Sequence, residues 1–132
     1  MSVLSNEQIT MVPIQFLKHI EHFSTKRVTW LMAKIQREKM WTKPICVDKT
    51  HYLVMDGQHR LEVAKKIGFS HVPCLLFDYE CVEIWSLRAN YHVDHDTVIN
   101  RGLTGDIYPY KTVKHRFPEE IKSLKIQLCD LL

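Results

Sequence analysis

The stretch Tyr52-Leu53-Val54-Met55-Asp56-Gly57-Gln58-His59-Arg60-Leu61 decides how this chain is read. Its first four residues form an apolar run of strand type, and a polar turn with a glycine follows. Leu61, Ala64 and Ile67 then mark one face of a short helix that ends at Gly68. A strand that stops at such a turn and continues as a helix points the helix's first free N–H groups, and the positive end of its dipole, outward. Gly57 lets an anion approach the backbone, and His59 and Arg60 add donors in the same turn. The five residues 56–60 alone fit an ordinary turn with a solvated arginine equally well, so their surroundings carry the weight.

Upstream, Pro44-Ile45-Cys46-Val47 and the 52–55 run flank the polar Asp48-Lys49-Thr50-His51, the pattern of two strands joined by a tight turn. Downstream, Val72 to Phe77 is continuously hydrophobic and is expected as a central strand, with a further strand over Val82 to Leu87. Met11 to Leu17 reads as the first strand, with Pro13 suggesting an edge or an irregular start. Ser24 or Thr25 caps a helix whose Val28, Leu31, Met32 and Ile35 fall at i, i+3, i+4 and i+7. Asp94 caps another through Val98 and Ile99, stopping near Gly102 or Gly105. Tyr108 to Arg116 reads as a basic loop. Pro118 opens a last helix with Glu119 and Glu120 in its first turn and Ile121, Leu124, Leu128 and Leu131 on one face. That stripe is expected to cover the sheet; pairing with a second copy, as a homodimer, is the other use it allows. The class is α+β, a small mixed sheet with flanking helices.

The 132 residues leave room for one domain, expected over 10–132 behind a tail at 1–9. With 45% hydrophobic and 25% charged residues, a globular core is expected. A net charge of +3 suits phosphorylated ligands but is small for a dedicated duplex-DNA binder, so nucleic acid is not the expected partner. The apolar runs fall far short of the roughly 18–20 residues of a membrane span. The first residues also lack the build of a signal peptide. No membrane association is therefore expected, and a cytoplasmic location is. Cys46, Cys74, Cys81 and Cys129 form no Cys-x-x-Cys pair, so neither a zinc knuckle nor a thioredoxin motif is read, and reduced structural thiols are expected.

A second cationic segment, Lys111, Thr112, Lys114, His115 and Arg116, has a composition suited to phosphate oxygens. Alone it fits a solvated loop. Brought against Gly57 to Arg60, it would complete a polyphosphate clamp.

These residues carry a resemblance. The segment from Tyr52 to Leu61, with Ala64, Gly68 and Val72-Pro73, resembles the nucleotide-binding core of the ParB/sulfiredoxin fold, whose members carry Asp-Gly-x-His-Arg or a variant there. Trp85 and then Gly105-Asp106-Ile107-Tyr108-Pro109-Tyr110-Lys111-Thr112-Val113-Lys114-His115 are similar to the free L-serine kinases, whose ending is close to Pro-Pro-Lys-Thr-Thr-Arg-His. Here Tyr110 replaces the second proline, and Val113-Lys114 replace Thr-Arg. Sulfiredoxins resemble the chain in fold but need a cysteine where Gln58 stands. The region after Phe77 holds no module like the helix-turn-helix of chromosome-partitioning ParB proteins.

The resemblance implies a kinase that passes a phosphoryl group from ATP or ADP, with Mg²⁺, to the hydroxyl of a free amino acid, L-serine first. It implies that Gly57, Gln58, His59 and Arg60 with Lys111, Thr112, Lys114 and His115 hold the phosphates. Glu21, the carboxylate of the loop after the first strand, is implied as general base. Asp56 would orient the metal ion or the substrate, and as a residue type it equally suits a turn cap. Trp85 could wall a substrate pocket or pack in the core, and Arg88 could hold a carboxylate. His19 and His22 flank Glu21 and read as surface histidines rather than metal ligands. The competing class is a ParB-like nucleotide-sensing or DNA-linked regulatory module without turnover.

Overall fold

The computed structural model describes residues 8–132, so the expected tail at 1–9 lies outside the described residues except for Gln8 and Ile9. In chain order the elements are β1 (Thr10–Pro13), α1 (Thr25–Glu38), β2 (Met40–Trp41), β3 (Ile45–Asp48), β4 (Val54–Asp56), α2 (Gln58–Ile67), β5 (His71–Phe77), β6 (Glu83–Ser86), α3 (His95–Thr104), β7 (Val113–Arg116) and β8 (Ile126–Gln127). Four strands make a mixed sheet in the order β1-β5-β3-β4. β5 runs antiparallel to β1 and parallel to β3, and β3 and β4 form the expected antiparallel hairpin. β5 is internal, as its unbroken hydrophobicity predicts, because a strand covered on both faces has no polar side.

The helices start and stop where their caps direct. The Ser24 side chain accepts from the Arg27 N–H at the start of α1, and Asp94 accepts from the Thr97 N–H at the start of α3. Val28, Leu31 and Ile35 turn inward from α1, and Leu61, Val63 and Ala64 from α2. The two helices pack on each other over a core shared with Ile45, Val47, Val54 and Cys74. Burying each large aliphatic side chain contributes about 1.5–3 kcal/mol.

Three expectations about local structure are corrected. The first strand ends at Pro13, and a 3-10 turn, Ile14–Phe16, takes its place because the Ile14 N–H is drawn to the Ser70 carbonyl. The stretch 108–116 is only half loop: Val113 to Arg116 pair with β6, Trp85 lying opposite Lys114. No α-helix follows Pro118. The chain instead runs extended and adds β8 to β2, with the Leu124 N–H on the Thr42 carbonyl and the Leu128 N–H on the Lys39 carbonyl. Leu124 and Leu131 are still buried, so the apolar stripe covers the core as expected; pairing with β2 satisfies backbone groups that a surface helix would have left to water.

One thread sets up the site. The Lys18 N–H donates to the Tyr52 carbonyl and the Val54 N–H to the Lys18 carbonyl. The Tyr108 N–H donates to the Ile20 carbonyl and the His22 N–H to the Tyr108 carbonyl. Residues 18–22 are thereby stitched between β4 and the segment leading to β7. Among the described residues, no helix is long and apolar enough to cross a membrane.

Candidate functional site

An open cleft of about 610 Å³ lies over the junction of β4 and α2. Asp56, Gly57, Gln58, His59 and Arg60 form one wall; Tyr110, Lys111, Val113 and Lys114 form another, with Glu21 also facing the cleft. The two cationic segments, about fifty positions apart in the chain, therefore meet in one cavity. Six cationic side chains (Arg27, Lys34, Lys43, Arg60, Lys111 and Lys114) line it against the two carboxylates Glu21 and Asp56, which suits a polyanion.

The turn is held from behind. Gly57 has φ 117°, a conformation that L side chains rarely adopt, and a Cβ there would lie 3.1 Å from Ile45 side-chain carbons. The Gln58 amide Nε2 donates to the Val54 carbonyl at 2.7 Å, which leaves Oε1 to face His19 Nδ1 at 2.5 Å. His19 Nε2 reaches Glu62 at 2.7 Å, and Lys65 closes the chain on Glu62 at 3.1 Å. His19 thereby bridges Gln58 and Glu62 through its two ring nitrogens. Gln58 is thus a buried tie whose side chain is spent on the fold, leaving its backbone at the helix start.

His59 Nε2 accepts the Ser24 N–H at 3.1 Å, which joins the first turn of α2 to the cap of α1. Burial holds the imidazole below its ordinary pKa, and the charges of Arg27, His19 and Arg60 act in the same direction, in keeping with an unprotonated acceptor nitrogen. Burial also lowers the Arg60 pKa, with Asp56 opposing it. Its Nε is buried without a hydrogen-bond partner, an unmet donor on a cleft built of cations.

Glu21 is gripped by the loop opposite the turn. Its Oε2 accepts the Lys111 N–H at 2.8 Å and its Oε1 the Val113 N–H at 3.2 Å. Burial raises its pKa, against the pull of the Val113, Lys111 and Thr112 N–H groups and the charge of Arg88. The result is a carboxylate that lines the cleft, is fixed in orientation and is more basic than in water.

Other expected site residues lie elsewhere. Thr112 is fully buried, and its hydroxyl donates to the Pro109 carbonyl at 2.6 Å, closing the turn that Lys111 enters with φ 58°. His115 does not reach the cleft: its Nε2 meets the Tyr79 hydroxyl at 2.7 Å, and its ring stacks on Phe117. Strand alternation in β7 turns it away from its neighbour Lys114, and burial pushes its pKa down to about 3. The sequence expectation fails at this residue because a basic loop became a strand with two faces. Trp85, 42% exposed on β6, is not among the cleft residues. Arg88 stands beside the cleft, where its Nη2 donates to the Tyr110 carbonyl at 2.7 Å.

Arg27, Trp30, Lys34 and Lys43 line the cleft and were not singled out from sequence. The first three fall at i, i+3 and i+7, so they share one face of α1. A large aromatic between two cations on the polar face of an amphipathic helix was the readable signal. Lys43 carried none.

The chain is similar to known proteins in sequence and in fold. Residues 2–85 match the family described as the ParB N-terminal domain. The ATP-dependent L-serine kinase of Desulfurococcus mucosus is 33% identical over 75 residues, covering 52% of this chain and 29% of that protein. The ATP-dependent L-serine kinase of Staphylothermus marinus is 31% identical over 86 residues, covering 53% and 33% respectively. The matched segment thus spans a third or less of these relatives' length. A solved free serine kinase, a glutamate-to-alanine variant in complex with ADP, has the same fold: TM-score 0.86 and 12% identity over 95% of this chain and 94% of that one.

Proposed function

The chain belongs to the ParB N-terminal domain family, and from the cleft that this core builds here we propose that it is a phosphotransferase, moving the terminal phosphoryl group of ATP or ADP to the hydroxyl of free L-serine. The observation that carries this reading is Glu21, a buried carboxylate held by the N–H groups of Lys111 and Val113 and facing the same cleft as the start of α2. A site built only to sense a nucleotide has no need of a base beside the phosphates. The similarity to two L-serine kinases supports the acceptor.

In this mechanism the phosphate chain lies on the N–H groups at residues 57–60, with Arg60, Lys111 and Lys114 neutralising it. Each Glu21 oxygen accepts one amide and keeps a lone pair, so one can also accept the serine hydroxyl. Glu21 takes the hydroxyl proton as the serine oxygen bonds to the terminal phosphorus. The bond from that phosphorus to the bridging oxygen breaks, and the bridging oxygen leaves on ADP when ATP is the donor, or on AMP when ADP is. Arg88, close enough to influence Glu21, takes the substrate carboxylate. Thr112 and His115 act from behind the loop rather than on the phosphates.

Among the described residues no three metal-ligating side chains cluster, and the free lone pair of Glu21 is assigned to the serine hydroxyl. Asp56, exposed on the cleft, is the carboxylate that would hold Mg²⁺ together with phosphate oxygens, the arrangement this ion favours. The ion would supply charge neutralisation for the leaving oxygens.

The test is incubation of the purified protein with L-serine, Mg²⁺ and either ATP or ADP, followed by phosphorus NMR. Appearance of O-phosphoserine supports the reading. Nucleotide binding without phosphoserine would replace it with a nucleotide sensor, and steeply salt-dependent duplex-DNA binding without nucleotide binding would replace it with a DNA-linked regulator.

A further inference from the structure

The face of α1 that lines the cleft carries a feature that phosphate binding does not use. Trp30 is 61% exposed, although it is the largest side chain on the helix. It borders two hollows at once: the cationic cleft, and a second hollow of about 330 Å³ lined by Lys26, Arg27 and Trp30. The walls of this second hollow are mostly apolar, formed by the indole and the hydrocarbon stems of two long side chains. Arg27 and Trp30 are common to both hollows, so the cavities adjoin at this helix face. Lys34 Nζ stands 5.7 Å from the centroid of the indole but does not line the second hollow, so it is not the group that fills that hollow.

A nucleotide has this same division, a polyanionic chain joined to a flat, weakly polar base. Resting on the phosphate site proposed above, we propose that Trp30 is the base platform of the donor nucleotide. The base stacks on the indole in the second hollow, Arg27 spans the junction, and the phosphates run from there to the start of α2. The link between Ser24 and His59 fixes the two helix starts against each other, which sets the position of the platform relative to the phosphate turn. The larger ring system gains more from stacking, so the ligand class is a purine nucleotide in preference to a pyrimidine one.

The experiment compares a ligand that has a base with one that lacks it. Affinities for ADP and for inorganic pyrophosphate are measured by calorimetry on the full chain, wild type and Trp30→Ala. Trp30 is largely exposed, so the substitution leaves the core intact. ADP affinity is expected to fall roughly 5- to 150-fold, as the loss of one base–aromatic stack predicts, while pyrophosphate affinity stays within about twofold of wild type. Trp30→Phe should recover most of the loss, and CDP should bind wild type more weakly than ADP. Unchanged ADP affinity in Trp30→Ala would overturn the proposal, and so would an equal loss for ADP and pyrophosphate, which would make Trp30 a support of the phosphate site. Failure of the wild-type chain to bind either ligand would overturn the phosphate site itself, and this inference with it.

Discussion

The Lys111 N–H and Glu21 Oε2, ninety positions apart in the chain, are joined by a 2.8 Å hydrogen bond. The same carboxylate binds the Val113 N–H through its other oxygen. The loop that brings Lys111 and Lys114 to the cleft is thus fastened by the group assigned as base, so phosphate binding and proton removal share one piece of backbone.

Glu21→Ala is expected to lower turnover by about 10²–10⁴-fold, the usual worth of a general base. The N–H groups of Lys111 and Val113 lose their acceptor, so stability should also fall, by about 1–3 kcal/mol. Steady-state kinetics, urea unfolding and calorimetry separate these effects: nucleotide affinity is expected to change by only a few-fold. A variant with wild-type turnover would remove Glu21 from the chemistry.

The base must be ionised to accept a proton, and burial raises the Glu21 pKa above its ordinary value of 4.5. The kcat/KM profile should therefore fall as the pH drops through that raised value, with the midpoint of its acid limb above 4.5. The charge of Arg88 favours the ionised form, so Arg88→Gln should move the limb to still higher pH. A limb that stays in place in this variant would count against their coupling.

Gly57→Ala places a Cβ 3.1 Å from Ile45 on a residue with φ 117°. Strain of about 1–3 kcal/mol is expected. The turn should also shift away from the ligand, giving a lower melting temperature together with weaker pyrophosphate binding. Arg60→Ala, which removes a charge without touching that backbone, should cost affinity by about 1.5–3 kcal/mol. Calorimetry and thermal melts distinguish the two.

His115 is half-buried, and the desolvation of its ring pushes its pKa down to about 3, against 6.5 when free. The unfolded chain therefore binds the proton first. The stability held in the neutral imidazole is complete above about pH 6.5 and is lost as the pH falls towards 3. The slope from this group approaches about 1.4 kcal/mol per pH unit in that window. His115→Gln should flatten the dependence of urea midpoints on pH between 6 and 4. An unchanged slope would mean that other groups carry it.

Local signals were enough for α1, α2 and α3, for the 45–56 hairpin and for the internal position of β5. In each case caps, glycines and apolar spacing lie within a dozen residues of what they specify. The turn at 56–60 was legible for the same reason, since strand, glycine and helix are contiguous. The segment after Pro118 was not. Its apolar residues recur at helical spacing, yet their burial is met equally by an extended chain, and the choice fell to the unpaired backbone of β2 and the Thr42 and Lys39 carbonyls.

Sequence alone also showed a glycine turn and a run of cations, because these belong to short stretches whose chemistry is local, whereas the loop glutamate was implied by the family resemblance. Which of them face the cleft was decided only by tertiary pairing. Pairing β6 with β7 turned His115 inward onto Tyr79 while Lys114 stayed on the cleft, and packing α1 against α2 brought Arg27, Trp30 and Lys34 to its rim. Side-chain direction on a strand or a helix follows from the partner across from it, and that partner is many residues away in the chain.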